Sequence, residues 1–365
     1  MPKSKNDIYR QRLQAIRAEL PNQTIDGLLI GSALNRRWLS GFTGTAGWLL
    51  ITEDKALLGT DFRYWAQARM QAPDFELVDF RDSRVEAWPG FLHFREPTRI
   101  GVEARHLSLH LFDILQSVPN ITFVKLSQSL EFLREVKTKH ELAAIKAAAA
   151  ITDQVMAGVS HISRIGMSEK QLAWELERRM REAGASGMAF PVIVASGPNG
   201  AMAHHQPGER KLQEGDPIIV DMGAEMDGYA SDLTRTFYMG PEPDSKFREI
   251  YELVDRAQKA ALDGLRAGVT GKEVDSLARD TISSGGYAKE FGHSLGHGIG
   301  LAVHEGPSLS QTFGDRPLSA ESVVTVEPGI YLPGWGGVRI EDVVRITMAG
   351  SESISQCPKA PAIES

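Results

Sequence analysis

The chain has 365 residues, 42% of them apolar and 24% charged, and a formal net charge of −7 from 47 acidic and 40 basic side chains. That length suggests two domains of an ordinary globular protein, and no Lys/Arg run is dense enough to mark a nucleic-acid surface. A single cysteine, Cys357, excludes an intramolecular disulfide and a cysteine-based zinc site, and no stretch approaches the ~18–20 apolar residues of a membrane span.

The opening "MPKSKNDIYRQRLQ" carries charge with no apolar segment after it, so neither a signal peptide nor a membrane association is expected, and the expected location is cytoplasmic. Residues 1–133 alternate helix and strand. "NDIYRQRLQAIRAEL" reads as an amphipathic helix and "DGLLIG" as a buried strand; "GWLLITEDKALLGT" reads as two strands about the turn Glu53-Asp54-Lys55. "HLSLHLFDILQSV" is helical again and "ITFVKL" is a strand, which makes an α/β domain. Composition shifts near Arg134, and Thr138 with Glu141 forms a capping box that starts a long helix and a second domain, 134–365.

The second domain repeats itself. "GMSEKQLAWELERRMREAG" returns about 100 residues later as "GVTGKEVDSLARDTISSGG", each with a capped start, Ser168-x-x-Gln171 and Thr270-x-x-Glu273. "MAH" ending at His204 matches "AVH" ending at His304, and "IIVDMG" matches "VTVEPG". The expectation is an α+β domain with internal pseudo-two-fold symmetry, each half being helices plus a hairpin.

Each hairpin carries two acids. Asp221 and Asp232 flank a turn containing Asp227-Gly228. They are directly opposite if the turn centres between Met226 and Asp227, and diagonal if Asp227-Gly228 is the loop; either way they lie within about 8 Å. A five-residue loop from Leu332 to Gly336 places Glu327 opposite Glu341. Facing like charges inside runs such as "IIV", "VVTV" and "VVRI" are costly unless protonated, paired or bound to cations. Arg339, on the same face as Glu341, offsets one acid but not four. Four carboxylates with an imidazole suit two divalent ions, which would generate a hydroxide nucleophile and polarise a carbonyl.

"GHSLGHGIG", 292–300, matches the G-x-S-x-G serine elbow, but poor strand material precedes Ser294 and another glycine cluster follows it. His297 is the better reading, as the single nitrogen ligand, with His293 and His304 nearby.

The set "VDMG", "SDLTRTF", "GHSLGHGIGLAVHE", "VEPGIY" and "RIEDVVRI" resembles the pita-bread metallopeptidases: Xaa-Pro aminopeptidases, prolidases and, more distantly, methionine aminopeptidases. "GFTGTAG" and "TDFRYWAQA" resemble the creatinase-like N-terminal domain of the Xaa-Pro branch. The resemblance implies metal ligands Asp221, Asp232, His297, Glu327 and Glu341, with Asp232 and Glu341 bridging two divalent ions, Mn²⁺ foremost and Co²⁺, Fe²⁺ or Zn²⁺ as alternatives. It further implies Glu327 as proton shuttle, and His304 as stabiliser of the tetrahedral intermediate. His204 (with His205 competing for its place) and His293 would contact substrate or relay protons, and Arg339 would hold the acids.

The implied activity is hydrolysis of N-terminal Xaa-Pro bonds in proline-containing peptides. An aminopeptidase P-like enzyme is expected first and a dipeptidase second; a methionine aminopeptidase, a serine hydrolase and an inactive binding module follow. Phe190, Tyr331 and Trp335 are candidates for a proline pocket. A homodimer is implied, in which Asp61 to Tyr64 could reach a partner's site.

Overall fold

The structure, a computed structural model, describes residues 5–81, 87–127, 130–359 and 362–363. The chain divides into two compact units, Met1–Leu133 and Arg134–Ser365.

In the first unit, strands β1 (Gly27–Ile30), β2 (Trp48–Thr52), β3 (Ala56–Thr60), β4 (Glu76–Asp79), β5 (Thr98–Glu103) and β6 (Ile121–Leu126) form one sheet in the order β4-β3-β2-β1-β5-β6. The predicted charged turn joins β2 to β3, which pair antiparallel with Ile51 opposite Ala56. β5 lies parallel to both β1 and β6, as the intervening helix Leu109–Gln116 requires. Leu29, Leu50, Phe80, Trp88, Ile100 and Leu115 fill the core. Asp61 opens the turn between β3 and the helix Trp65–Gln71; the hydrogen bonds from Arg63 hold its carboxyl down at about 2.

The second unit opens with the helix Lys139–Ala157, capped by the predicted reciprocal bonds of Thr138 and Glu141. Its two halves each contribute a helix started by a capping box, Glu169–Glu182 after Ser168 and Gly271–Ser284 after Thr270. Each half also builds a sheet. In the first, β7 (Ile193–Ser196), β8 (Pro217–Met222) and β9 (Leu233–Met239) run antiparallel. In the second, β10 (Gly296–Gly298), β11 (Glu305–Leu309), β12 (Val323–Val326) and, later in the chain, β15 (Asp342–Ile346) pair in the order β11-β10-β12-β15. A short hairpin, β13 (Gly329–Leu332) and β14 (Gly336–Arg339), lies between them in sequence. Each sheet packs its own core: Leu172, Leu176, Val194, Val220 and Leu233 in the first half, and Val254, Ala278, Ile282, Val324 and Val344 in the second. Buried leucines of this kind contribute about 2–5 kcal/mol each against alanine.

Candidate metal centre

The first hairpin takes the diagonal register. Asp227 and Gly228 both have positive φ, 49° and 73°, and form the two-residue loop between Met226 and Tyr229, a turn whose twist matches the strands it joins. Asp221 therefore faces Thr234, and Asp232 sits just before β9, diagonal to it. The second hairpin keeps one register through two ladders, Val326 opposite Asp342 and Gly329 opposite Arg339. Glu327 and Glu341 lie across from each other at the junction, as predicted. The loop is shorter than expected, because Leu332 pairs with Gly336 and only Pro333 to Trp335 are left to turn.

β10 brings the histidine. A Cβ on Gly296 would meet the Thr325 carbonyl oxygen at 2.0 Å, and one on Gly298 the Gly306 oxygen at 2.0 Å. The glycines of "GHSLGHGIG" thus permit a close backbone approach on both sides of His297 rather than a nucleophile elbow; a strand, not a helix, follows Ser294. His297 Nδ1–H donates to Gly298 O, which leaves Nε2 as the free lone pair. That nitrogen lies 3.3 Å from Glu327 Oε1 and 3.7 Å from Asp232 Oδ2. Ligand atoms of Asp232, His297 and Glu341 all lie within 4.8 Å of one another.

Asp221 is held differently: Arg339 Nη2 donates to its Oδ2 at 2.6 Å. Arg339 also donates to Thr234 Oγ1 and Tyr331 Oη. Two threonines that sequence reasoning missed complete the bracing. Thr234 Oγ1 donates to Glu341 Oε2 at 2.7 Å, and Thr325 Oγ1 to Glu327 Oε1 at 3.1 Å. Their signal was legible, since each stands two residues from an acid on an extended chain and so shares its face.

Asp221, Asp232 and Glu341 are buried and Glu327 is half-buried, and among the described residues only one cationic side chain, Arg339, is bonded to their carboxylates. Burial, then the neighbouring Glu341, Asp221 and Glu327, push the Asp232 carboxyl up; burial, then Glu327 and Asp221, do the same to Glu341. Burial raises Glu327 to about 7 and lowers His297 to about 4. Asp221 Oδ1 and Asp232 Oδ1 are sealed from solvent without a hydrogen-bond donor. Orphaned carboxylate oxygens beside a lone-pair nitrogen, in a pocket with excess negative charge, fit divalent cations.

These groups line a cleft of about 390 Å³. Its walls carry His204 and His304, both exposed, with Phe190, Pro191, Ile193 and Val303 as apolar surface. The His304 ring lies 4.1 Å from that of His297. Tyr331 lines the cleft and meets His293 Nε2 at 2.9 Å, while His293 Nδ1 meets Ser294 O, so both nitrogens of His293 are engaged. Trp335 instead packs against the core of the second half.

The description "Metallopeptidase family M24" matches residues 143–348, and "Creatinase/Prolidase N-terminal domain" matches residues 12–136. An uncharacterized peptidase of Bacillus subtilis, YqhT, is 38% identical over 95% of this chain and 98% of its own length. Two solved structures superpose closely. An Xaa-Pro dipeptidase from Bacillus anthracis has TM-score 0.91 and 39% identity, covering 97% of this chain and 99% of its own. An X-Pro aminopeptidase from Thermotoga maritima has TM-score 0.87 and 37% identity, covering 96% and 99%.

Proposed function

The chain belongs to metallopeptidase family M24 and carries a creatinase/prolidase-type N-terminal domain, and from that premise we propose that it hydrolyses N-terminal Xaa-Pro bonds as an aminopeptidase P-like enzyme. The observation that carries the proposal is the pair of partnerless oxygens on Asp221 and Asp232, beside His297, Glu327 and Glu341 in one cleft. Those five side chains would hold two divalent ions. When bound, the ions polarise the scissile carbonyl and acidify water. Mn²⁺ suits this oxygen-dominated donor set.

The chain's own groups have distinct tasks. Glu327, pushed to about 7 by burial, is poised to take a proton and pass it to the departing proline nitrogen. His304, on the wall beside His297, donates to the oxygen that gains charge. His204 orients the substrate. His293, with both nitrogens engaged, offers its ring as a shaped wall. Arg339 holds Asp221 in place. A prolyl nitrogen has no hydrogen, so selection rests on an apolar fit, which Phe190, Ile193 and Val303 provide.

A free dipeptide would present its carboxylate to the cleft. Among the described residues, Arg339 is the only Lys or Arg lining it, and its guanidinium is committed to Asp221, Thr234 and Tyr331. That favours longer peptides. A homodimer and a cytoplasmic setting belong to the same proposal. The test is hydrolysis of an Xaa-Pro dipeptide and a matched Xaa-Pro-Yaa-Zaa tetrapeptide by chelator-stripped protein, with and without Mn²⁺. Metal-restored cleavage of the tetrapeptide is expected; dipeptide-only cleavage would make the chain a prolidase, and failure on both with metal bound would refute the assignment.

A further inference from the structure

Behind one wall of the cleft stands a carboxylate that the metal chemistry does not use. Glu169 opens the helix Glu169–Glu182, and its side chain has no solvent exposure. Its Oε1 accepts from Ser196 N at 2.8 Å, Ser196 Oγ at 2.7 Å and Asn199 Nδ2 at 3.0 Å. Its Oε2 accepts from Gly208 N at 3.1 Å and meets His205 Nε2 at 2.8 Å. Burial alone would raise this carboxyl, but the bonds from Ser196, Asn199 and His205 outweigh it and hold the group below its usual range.

An ionised carboxylate only accepts, so the His205 nitrogen facing it carries the hydrogen. In a neutral ring Nδ1 is then an acceptor. Nδ1 makes no hydrogen bond among the described residues and is not one of the sealed, partnerless atoms. The ring is 13% exposed and lines the cleft. His204 and His205 therefore differ in kind: one is exposed on the wall, the other is tethered from behind with one nitrogen left over.

A peptide cleaved before proline offers few hydrogens to such an acceptor. The scissile nitrogen has none, so the nearest main-chain N–H groups are the α-ammonium on one side and the amide after proline on the other. We propose that Glu169 and His205 form a specificity dyad: Glu169 is a positioning residue that fixes His205 as the Nε2–H tautomer, and His205 Nδ1 accepts from one of those two N–H groups. This rests on the Xaa-Pro reading of the cleft.

The test pairs a ¹⁵N-histidine spectrum of the full chain with kinetics on three substrates. These are the parent tetrapeptide, its analogue with an ester oxygen replacing the N–H after proline, and its des-amino analogue. The wild type should show His205 protonated at Nε2 only. At least one analogue should lose about tenfold in kcat/KM through KM, the scale of one hydrogen bond. Glu169→Gln presents an NH₂ to Nε2 and flips the tautomer; it should lose about tenfold on the parent and nothing more on that analogue. His205→Phe should do the same, and serves if Glu169→Gln does not fold. A wild-type ring protonated at Nδ1 would overturn the dyad, as would analogues cleaved like the parent or variant losses equal on all three substrates. A parent left uncleaved would count against the peptidase reading itself, and the spectrum would still decide the tautomer.

Discussion

In the first half of the catalytic unit Asp221 faces Thr234 and Asp232 lies diagonal to it, whereas in the second half Glu327 and Glu341 face each other across a ladder junction. The difference originates in the turns, a two-residue loop with positive φ in one hairpin and three residues in the other. Most of its compensation runs across the halves, the Thr325–Glu327 bond being the exception within one. Arg339 of the second hairpin clasps Asp221 of the first, and Thr234 of the first donates to Glu341 of the second. Thr236 and Arg339 exchange two further bonds. The halves are thus related in topology but braced by unlike groups, so each set of acids depends on the other half for its position.

Removing an acid should have the largest effect. Asp232→Asn and Glu341→Gln are each expected to cut Mn²⁺-dependent hydrolysis by roughly 10³-fold, since several kcal/mol of charge stabilisation vanish. In metal-free protein the same changes should raise the Tm, because a buried carboxylate is replaced by a neutral amide. Arg339→Met breaks the brace in the other direction, leaves Asp221 buried without its partner, and should cost about 3–5 kcal/mol by denaturant unfolding. Thr234→Val strands the Arg339 Nε and one oxygen of Glu341, for about 1–3 kcal/mol; Thr325→Val touches one acid only and should fall at the lower end. At the first turn, Gly228→Ala puts a side chain at positive φ and should cost about 1 kcal/mol, with the register kept.

The brace also has a pH signature in the metal-free chain. Glu327 moves from its ordinary 4.5 to about 7 on folding, so the folded state binds more protons between those values. Stability should then be greatest near pH 4.5 and decline as pH rises towards 7, with Asp232 and Glu341 shifting in the same sense. Mn²⁺ should flatten that slope in thermal unfolding.

Much of this was legible from spacing. The three capping boxes at Thr138, Ser168 and Thr270 formed as read, because a cap depends on residues three apart. The Glu327/Glu341 register was legible because one arithmetic runs through both ladders. For Asp221 and Asp232 the residues allowed two registers, and only the backbone of Asp227-Gly228 chose between them. The Arg339–Asp221 clasp and the Glu169–His205 bond left no periodic trace, since they join residues 118 and 36 positions apart. The glycines of "GHSLGHGIG" were correctly separated from a serine elbow, but their purpose, room for the Thr325 and Gly306 backbone, shows only in three dimensions.

Calorimetric titration of chelator-stripped protein with Mn²⁺ at pH 6, in two buffers of different ionisation enthalpy, tests the metal centre most directly. Two ions per chain should bind with release of protons, because Glu327 rests near 7 in the metal-free state, and Asp232→Asn should abolish at least one of them. Binding of no ion by the intact chain, or binding unchanged in Asp232→Asn and without proton release, would contradict the account.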